Sequence, residues 1–214
     1  MEHVELNDGN RIPAIGFGVF MVPDGGPTHE ATLAALKAGY RHIDTAAAYM
    51  NEGDVGRAVR DSGVPRDQIW VTTKLWPQDY AAADAPAVNQ VECNPLFQQR
   101  ELRDVLDPLD VVLECWYPLG HGSAELLGNP TIVALAERYG KNAGQIILRF
   151  ETQEGMVVLP KSTNPKRIAT NLDVFDFELT DAEMDSLRAL DTGHGTHDPE
   201  DPANEERLLG FRIH

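Results

Sequence analysis

Positive charge is scarce in this 214-residue chain: 18 Lys and Arg stand against 34 Asp and Glu, a formal net charge of −16. Binding to nucleic acid or to an anionic membrane surface draws on an excess of Lys and Arg, so neither is an expected partner, and any anion site must be local. Cysteine is nearly absent too. Cys93 and Cys115 both lie inside apolar runs, which implies buried free thiols and no disulfide framework, and fits a reducing compartment. No uninterrupted apolar run approaches the roughly 20 residues that span a bilayer. The stretch MEHVELNDGNRIP has no basic region followed by an apolar one, so a cytoplasmic location is expected. The seven histidines form no metal-ligand spacing, and no metal site is expected.

What is present is an alternation. VELNDGNRIP reads as a hairpin with Asp8-Gly9 as a two-residue turn. AIGFGVF then reads as a strand, followed by the helix THEATLAALKAG with Thr28 as N-cap and Gly39 just past its end. The pattern repeats. HIDTAAAY precedes the helix EGDVGRAVRDSG, IWVTTKLW is a strand, AVNQVECNP precedes FQQRELRDVL, VVLECWYPL precedes PTIVALAERYG and NAGQIILRFE, and MVVLPKS precedes PKRIATNL. These strands are near-continuous apolar runs, as in sheets covered on both faces, and the alternation implies a parallel sheet. TDAEMDSLRALD closes the chain as a helix with a Thr180/Glu183 capping box. Residues 1–214 are expected to form one domain, with an irregular segment over 192–214.

Three strands end in polar or ionisable groups: Asp44 with Tyr49, Lys74, and Asn89 with Gln90 and Glu92. In a parallel barrel that is the face on which active sites are built. A buried Lys must be paired, so Asp44 can hold Lys74 charged, and Lys74 in turn can lower the pKa of the Tyr49 phenol and make it a better proton donor. An ordinary buried ion pair beside a surface Tyr has the same spacing. A second cluster, KSTNPKR at 161–167, concentrates cations in a chain that otherwise repels anions. Asn164 can cap a helix whose first residue is Pro165, and such a helix start offers N–H groups and a positive dipole end to an anion. A solvated basic helix end would read the same.

HIDTAAAYMNE, IWVTTKLW, AVNQVECNP, WYPLG and LPKSTNPKRIATNL, in this order, resemble the aldo-keto reductase family, in particular its bacterial 2,5-diketo-gluconate-reductase-like members. The resemblance runs from the hairpin to about Asp191. It implies a TIM-type (β/α)8 barrel, NADPH as cofactor and a small-molecule carbonyl substrate, acted on by a monomer. Asp44, Tyr49 and Lys74 match three members of a catalytic tetrad in which Tyr protonates the alkoxide as hydride arrives. The resemblance further implies that Gln90 contacts the nicotinamide carboxamide, that Trp116 stacks on its ring, and that Leu119 lies against the cofactor. Lys161, Ser162, Arg167 and Asn171 match the residues that hold the adenosine 2′-phosphate and adenine. Arg suits that task because its planar fork grips phosphate oxygens. Phe20, Tyr49, Trp76 and Trp116 would wall the substrate pocket. Trp116 as core filler is the bland alternative; for His121, just past WYPLG, the resemblance implies a cofactor-proximal loop rather than catalysis, and a lone loop His is usually just solvated.

The sequence also departs from that family. The tetrad His, in a run resembling DLYLIHWP, has no counterpart, nor has the Ser-Asn pair that assists Gln90. Only PQDYAAADAP separates Trp76 from Ala87, so two β/α units of roughly 30 residues each are missing. Six strands do not close with the geometry of eight, and two apolar edges would stand open. The favoured account is a natural chain with a further segment between Tyr80 and Ala87; a true deletion, or a degenerate relative that fills the gap by oligomerising, are the others. Two further functions remain open: an NADPH-binding remnant with impaired turnover, and a barrel hydrolase or isomerase pairing Asp44 with Glu92.

Overall fold

The computed structural model describes residues 1–74 and 87–196. The expectations for Trp76, for the 77–86 link and for the tail beyond Thr196 lie outside the described residues. The chain opens with the antiparallel hairpin β1 (His3–Glu5) and β2 (Arg11–Pro13). Its turn is one residue longer than the expected Asp8-Gly9 pair. The Leu6 N–H donates to the Asn10 carbonyl across Asn7, Asp8 and Gly9, and Gly9 takes the left-handed φ of 82° that closes a three-residue loop.

Six parallel strands follow: β3 (Phe17–Gly18), β4 (His42–Asp44), β5 (Trp70–Thr72), β6 (Val88–Glu92), β7 (Val112–Trp116) and β8 (Val157–Val158). They form two three-stranded sheets, β3-β4-β5 and β6-β7-β8. A parallel bridge between Ile15 and Val158 joins them, with the Gly16 N–H donating to the Val158 carbonyl at 2.8 Å and the Val158 N–H to the Ala14 carbonyl at 3.0 Å. The strands therefore run in the order β5-β4-β3-β8-β7-β6. Among the described residues no strand joins β5 to β6, and no closed barrel is seen among them.

The helices are α1 (Pro27–Ala38), α2 (Glu52–Asp61), α3 (Arg100–Leu106), a short α4 (Ala124–Leu127), α5 (Pro130–Tyr139), α6 (Ala143–Gln153), α7 (Pro165–Leu172) and α8 (Asp181–Arg188). Gly39 ends α1 in the left-handed conformation, as expected, but Thr28 does not cap it. Gly26 occupies the cap position, and the buried Thr28 hydroxyl donates to the carbonyls of Val22 and Pro23. The Thr180/Glu183 capping box of α8 forms as expected. The largest core packs Ile15, Phe17, Leu36, Tyr40, Ile43 and Leu148 between sheet and helices, and a second core joins α5, α6 and α8 through Ile132, Ile146, Phe150 and Leu187. Cys93 and Cys115 are buried free thiols, also as expected.

The hairpin decides which end of the sheet is free. Leu6 and Ile12 pack on Val157, with Trp70, Val88 and Val112 against them, and these four are the first residues of β8, β5, β6 and β7. The N-terminal ends of the strands are thus covered by the hairpin, and the C-terminal ends are left for chemistry.

Candidate active site

The last residues of β4, β6 and β7 are Asp44, Glu92 and Trp116, and Lys74 and Lys161 follow β5 and β8 within three residues. At this end Lys74 Nζ donates to Asp44 Oδ1 and Oδ2 at 2.7 and 2.8 Å and to the Thr45 carbonyl at 2.9 Å. Both carboxylate oxygens and a backbone dipole thus hold one ammonium. The same Nζ lies 5.0 Å from the Tyr49 ring centroid. Asp44, Lys74 and Tyr49 are therefore brought together.

Tyr49 sits on a single helical turn, Ala47–Tyr49, that Asn51 fixes from below. Asn51 is fully buried; it accepts from the Thr45 hydroxyl at 3.0 Å and donates to the carbonyls of Val19 and Val22 at 3.1 and 3.0 Å. The strand carrying Asp44, the turn carrying Tyr49 and the loop carrying Phe20 are tied through this one amide. Phe20 lies against Tyr49 with ring centroids 5.1 Å apart.

The electrostatics correct one expectation. Burial holds the Tyr49 phenol above its ordinary pKa; Lys74 opposes this, and Asp44 adds to it. The depressed phenol expected from the Lys74 charge does not emerge, because desolvation of a phenolate outweighs a cation already neutralised by Asp44. Burial also raises the Asp44 carboxyl, with Lys74 pulling the other way. The cluster in this state thus keeps Tyr49 in its phenol form, the form that can give a proton.

Gln90 faces the same cluster from β6. Its Nε2 donates to Asp44 Oδ1 at 3.0 Å and to Glu114 Oε2 at 2.6 Å. Glu114 is a polar residue that sequence reading missed; His42 opens β4, the end read from the sequence as wrong for chemistry, yet its side chain reaches Glu114. Glu114 is 1% exposed and His42 fully buried, their side chains 3.6 Å apart, and His42 Nε2 meets the Thr72 hydroxyl at 2.9 Å. The signal available was one Glu inside the apolar run VVLECWYPL. Glu92, by contrast, is held elsewhere: its Oε1 accepts from the Thr196 N–H and hydroxyl at 2.9 and 2.7 Å. Gln90, not Glu92, is the β6 residue tied to Asp44, which removes the support for a paired-carboxylate site.

Beyond β7, Trp116 meets Tyr117 edge to face at 5.4 Å, and Tyr117 stacks on His121 at 4.2 Å. His121 is exposed in its loop, as expected, and its ring also stacks on Tyr117. Tyr117 has a φ of 69°, a costly conformation for a residue with a Cβ. It aims the chain into the turn where Leu119 packs partly buried against both cores.

The basic segment folds as expected in outline. Asn164 caps α7, its Oδ1 accepting from the N–H groups of Lys166 and Arg167 at 2.9 and 3.3 Å. Those two N–H groups are therefore occupied, so the expected anion site is narrowed to the helix dipole and the side chains. Ser162, 5% exposed, accepts from the Asn164 N–H at 3.1 Å and from Arg167 Nε at 3.3 Å. Arg167, an exposed residue, is thereby held at its Nε. Asn171 lies buried one turn further on, while Lys161 is exposed beside them. Among the described residues no His, Cys, Asp and Glu group is arranged to hold a metal ion, and no helix is long and apolar enough to cross a membrane.

The Aldo/keto reductase family model matches residues 14–85 and 79–192. An aldo-keto reductase of Mycolicibacterium smegmatis is 40% identical over 260 residues, covering 89% of this chain and 94% of the relative. The crystal structure of an aldo/keto reductase from Brucella melitensis superposes with a TM-score of 0.83 at 33% identity, over 89% of this chain and 99% of that one. A mutant of Gox0644 in complex with NADPH matches with a TM-score of 0.81 at 28% identity, over 92% and 97%. Fold and likeness together define an oxidoreductase of the TIM-barrel-like α/β class. The chain belongs to the aldo-keto reductase family.

Proposed function

We propose that this protein reduces aldehydes or ketones to alcohols with NADPH, Tyr49 giving the proton. The observation that carries the reading is the three-way grip on Lys74 Nζ beneath the Tyr49 ring. An ammonium fixed there stabilises negative charge developing on the phenolic oxygen as its proton leaves. Bound NADPH would supply the hydride. Gln90, Trp116 and Leu119 would hold its nicotinamide end, and Lys161, Ser162, Arg167 and Asn171 its adenosine 2′-phosphate end. The residues fit such a group: Arg167 is exposed and braced by Ser162 at its Nε, and it lies in the first turn of α7, the positive end of the helix dipole. Phe20, with Trp76, would face the carbonyl substrate.

Tyr49→Phe tests this directly. It should lower carbonyl reduction by at least about 100-fold and leave NADPH affinity unchanged, because only the proton donor is removed. Normal turnover in that variant would sink the role given to Tyr49. Arg167→Ala should weaken NADPH far more than NADH; equal losses in a pair of titrations would remove the 2′-phosphate contact.

A single domain is the reading for the whole chain. The absence of two β/α units is supported by the alignment with the mycobacterial relative, which runs over 260 positions although the chain has 214 residues. The two family matches also meet at 79–85. A second function, NADPH binding with impaired turnover, is favoured by one observation. Among the described residues, the histidine tied to this network is His42, fully buried and bonded to Thr72, and it offers no donor to a substrate.

A further inference from the structure

Glu114 has no place in the reaction as proposed, yet it is a carboxyl group buried to 1% exposure in the middle of β7. Its neighbours in register are Gln90 on β6 and Val157 on β8. The groups facing it are His42 and Asp44 from β4, Lys74 beyond β5, Gln90 from β6 and Tyr49 from its turn. Val157, Gly16 before β3 and Gly18 within it bring no charge. One cation, Lys74, thus serves two carboxyl groups, and its Nζ is within hydrogen-bond reach of Asp44.

What joins the two carboxyl groups is the Gln90 amide. A primary amide has two N–H donors and one carbonyl acceptor. Here Asp44 Oδ1 and Glu114 Oε2 each take a bond from Nε2, at 3.0 and 2.6 Å. Two carboxylates on one side of an amide also fix its sense, since turning it over would set a carbonyl oxygen against two acceptors.

Resting on the reading that Gln90 meets the nicotinamide carboxamide, we infer that Glu114 is a positioning residue: with Asp44 it engages both Gln90 N–H groups, so that Gln90 presents its carbonyl oxygen, an acceptor for the carboxamide N–H, to the cofactor. A short bond to an ionised acceptor is about twice as strong as one to a neutral acceptor, so the grip tightens when Glu114 loses its proton. Burial, and after it the charge of Asp44, pushes the Glu114 carboxyl up to about 7. The tightening therefore falls in the neutral range.

The experiment is NADPH titration, followed by nicotinamide fluorescence in the absence of substrate, at pH 6 to 8.5, for the wild type, Glu114→Gln, Glu114→Leu, Gln90→Ala and the Gln90→Ala/Glu114→Leu pair. Glu114→Leu should lose about tenfold in affinity, and no further loss should appear when it is added to Gln90→Ala. Glu114→Gln keeps an acceptor oxygen and should hold most of the affinity. It should, however, lose the rise in affinity that the wild type shows as pH passes upward through about 7. The 2′-phosphate titrates near pH 6 in every variant, so the comparison isolates Glu114.

Affinity in Glu114→Leu equal to wild type, additive losses in the pair, or identical pH profiles in wild type and Glu114→Gln would each overturn the inference. Unchanged affinity in Gln90→Ala would instead overturn the Gln90 contact itself, and the Glu114 role with it. Should Glu114→Leu fail to fold, the wild-type and Glu114→Gln profiles decide alone.

Discussion

His42 and Glu114 form the polar floor beneath the Asp44, Lys74 and Tyr49 cluster, and His42 carries a stability signature of its own. Burial, as the leading cause, holds its imidazole down to about 3, against roughly 6.5 in an unfolded chain. Between those values the unfolded state binds the extra proton, so stability falls as pH is lowered below about 6.5 and the loss levels off near 3. At pH 5 this one residue should lower stability by about 2 kcal/mol relative to pH 7. Urea unfolding at both pH values, for the wild type and for His42→Gln, checks it: the acid-side loss should shrink in the variant. The same scale shows what a sequence does and does not reveal. Asp44, Tyr49 and Lys74 could be named because their residue types have a joint chemistry. Glu114 could not, because its meaning depends on strand register: only the pairing of Gln90 with Glu114 brings that carboxyl to the amide. The direction of the Tyr49 shift was equally hidden, since it is a contest between burial and charge that only geometry resolves.

Helices and strands were legible where a single local cause fixes them. Continuous apolar runs marked the parallel strands, Gly39 stopped α1, and Thr180 with Glu183 started α8. Misreadings came where two partners competed for one group. Thr28 has the residue type of an N-cap, but the carbonyls of Val22 and Pro23 take its hydroxyl. Asn164 shows the opposite outcome, since its side chain does cap α7. Asn164→Ala should cost about 1 kcal/mol of stability, read as a lower urea midpoint. It also frees the Lys166 and Arg167 N–H groups, so inorganic phosphate should bind the variant no more weakly than the wild type. A marked loss of phosphate binding would mean that Asn164 itself touches the anion.

The whole molecule is a sheet whose two outer strands, β5 and β6, have no neighbour among the described residues on their far sides. Apolar parallel strands with open edges are templates for pairing with other chains. The favoured account, a natural protein with more residues between Tyr80 and Ala87, has a direct consequence: the intact mass of the protein from its source should exceed 23.6 kDa. A mass of 23.6 kDa would establish a true deletion. Light scattering of that protein should then report association that grows with concentration, and turnover should be poor.

The seam at Ile15 and Val158 sets a timetable for synthesis. The two sides of that bridge are 143 residues apart in the chain, and a ribosome adding about 5–20 residues per second needs roughly 7–30 s to cover the distance. During that interval β3 has β4 on one side and nothing on the other, so the newborn N-terminal half must wait, exposed, for its last partner. A cell that makes this protein has to protect a half-built sheet for longer than most small domains take to fold.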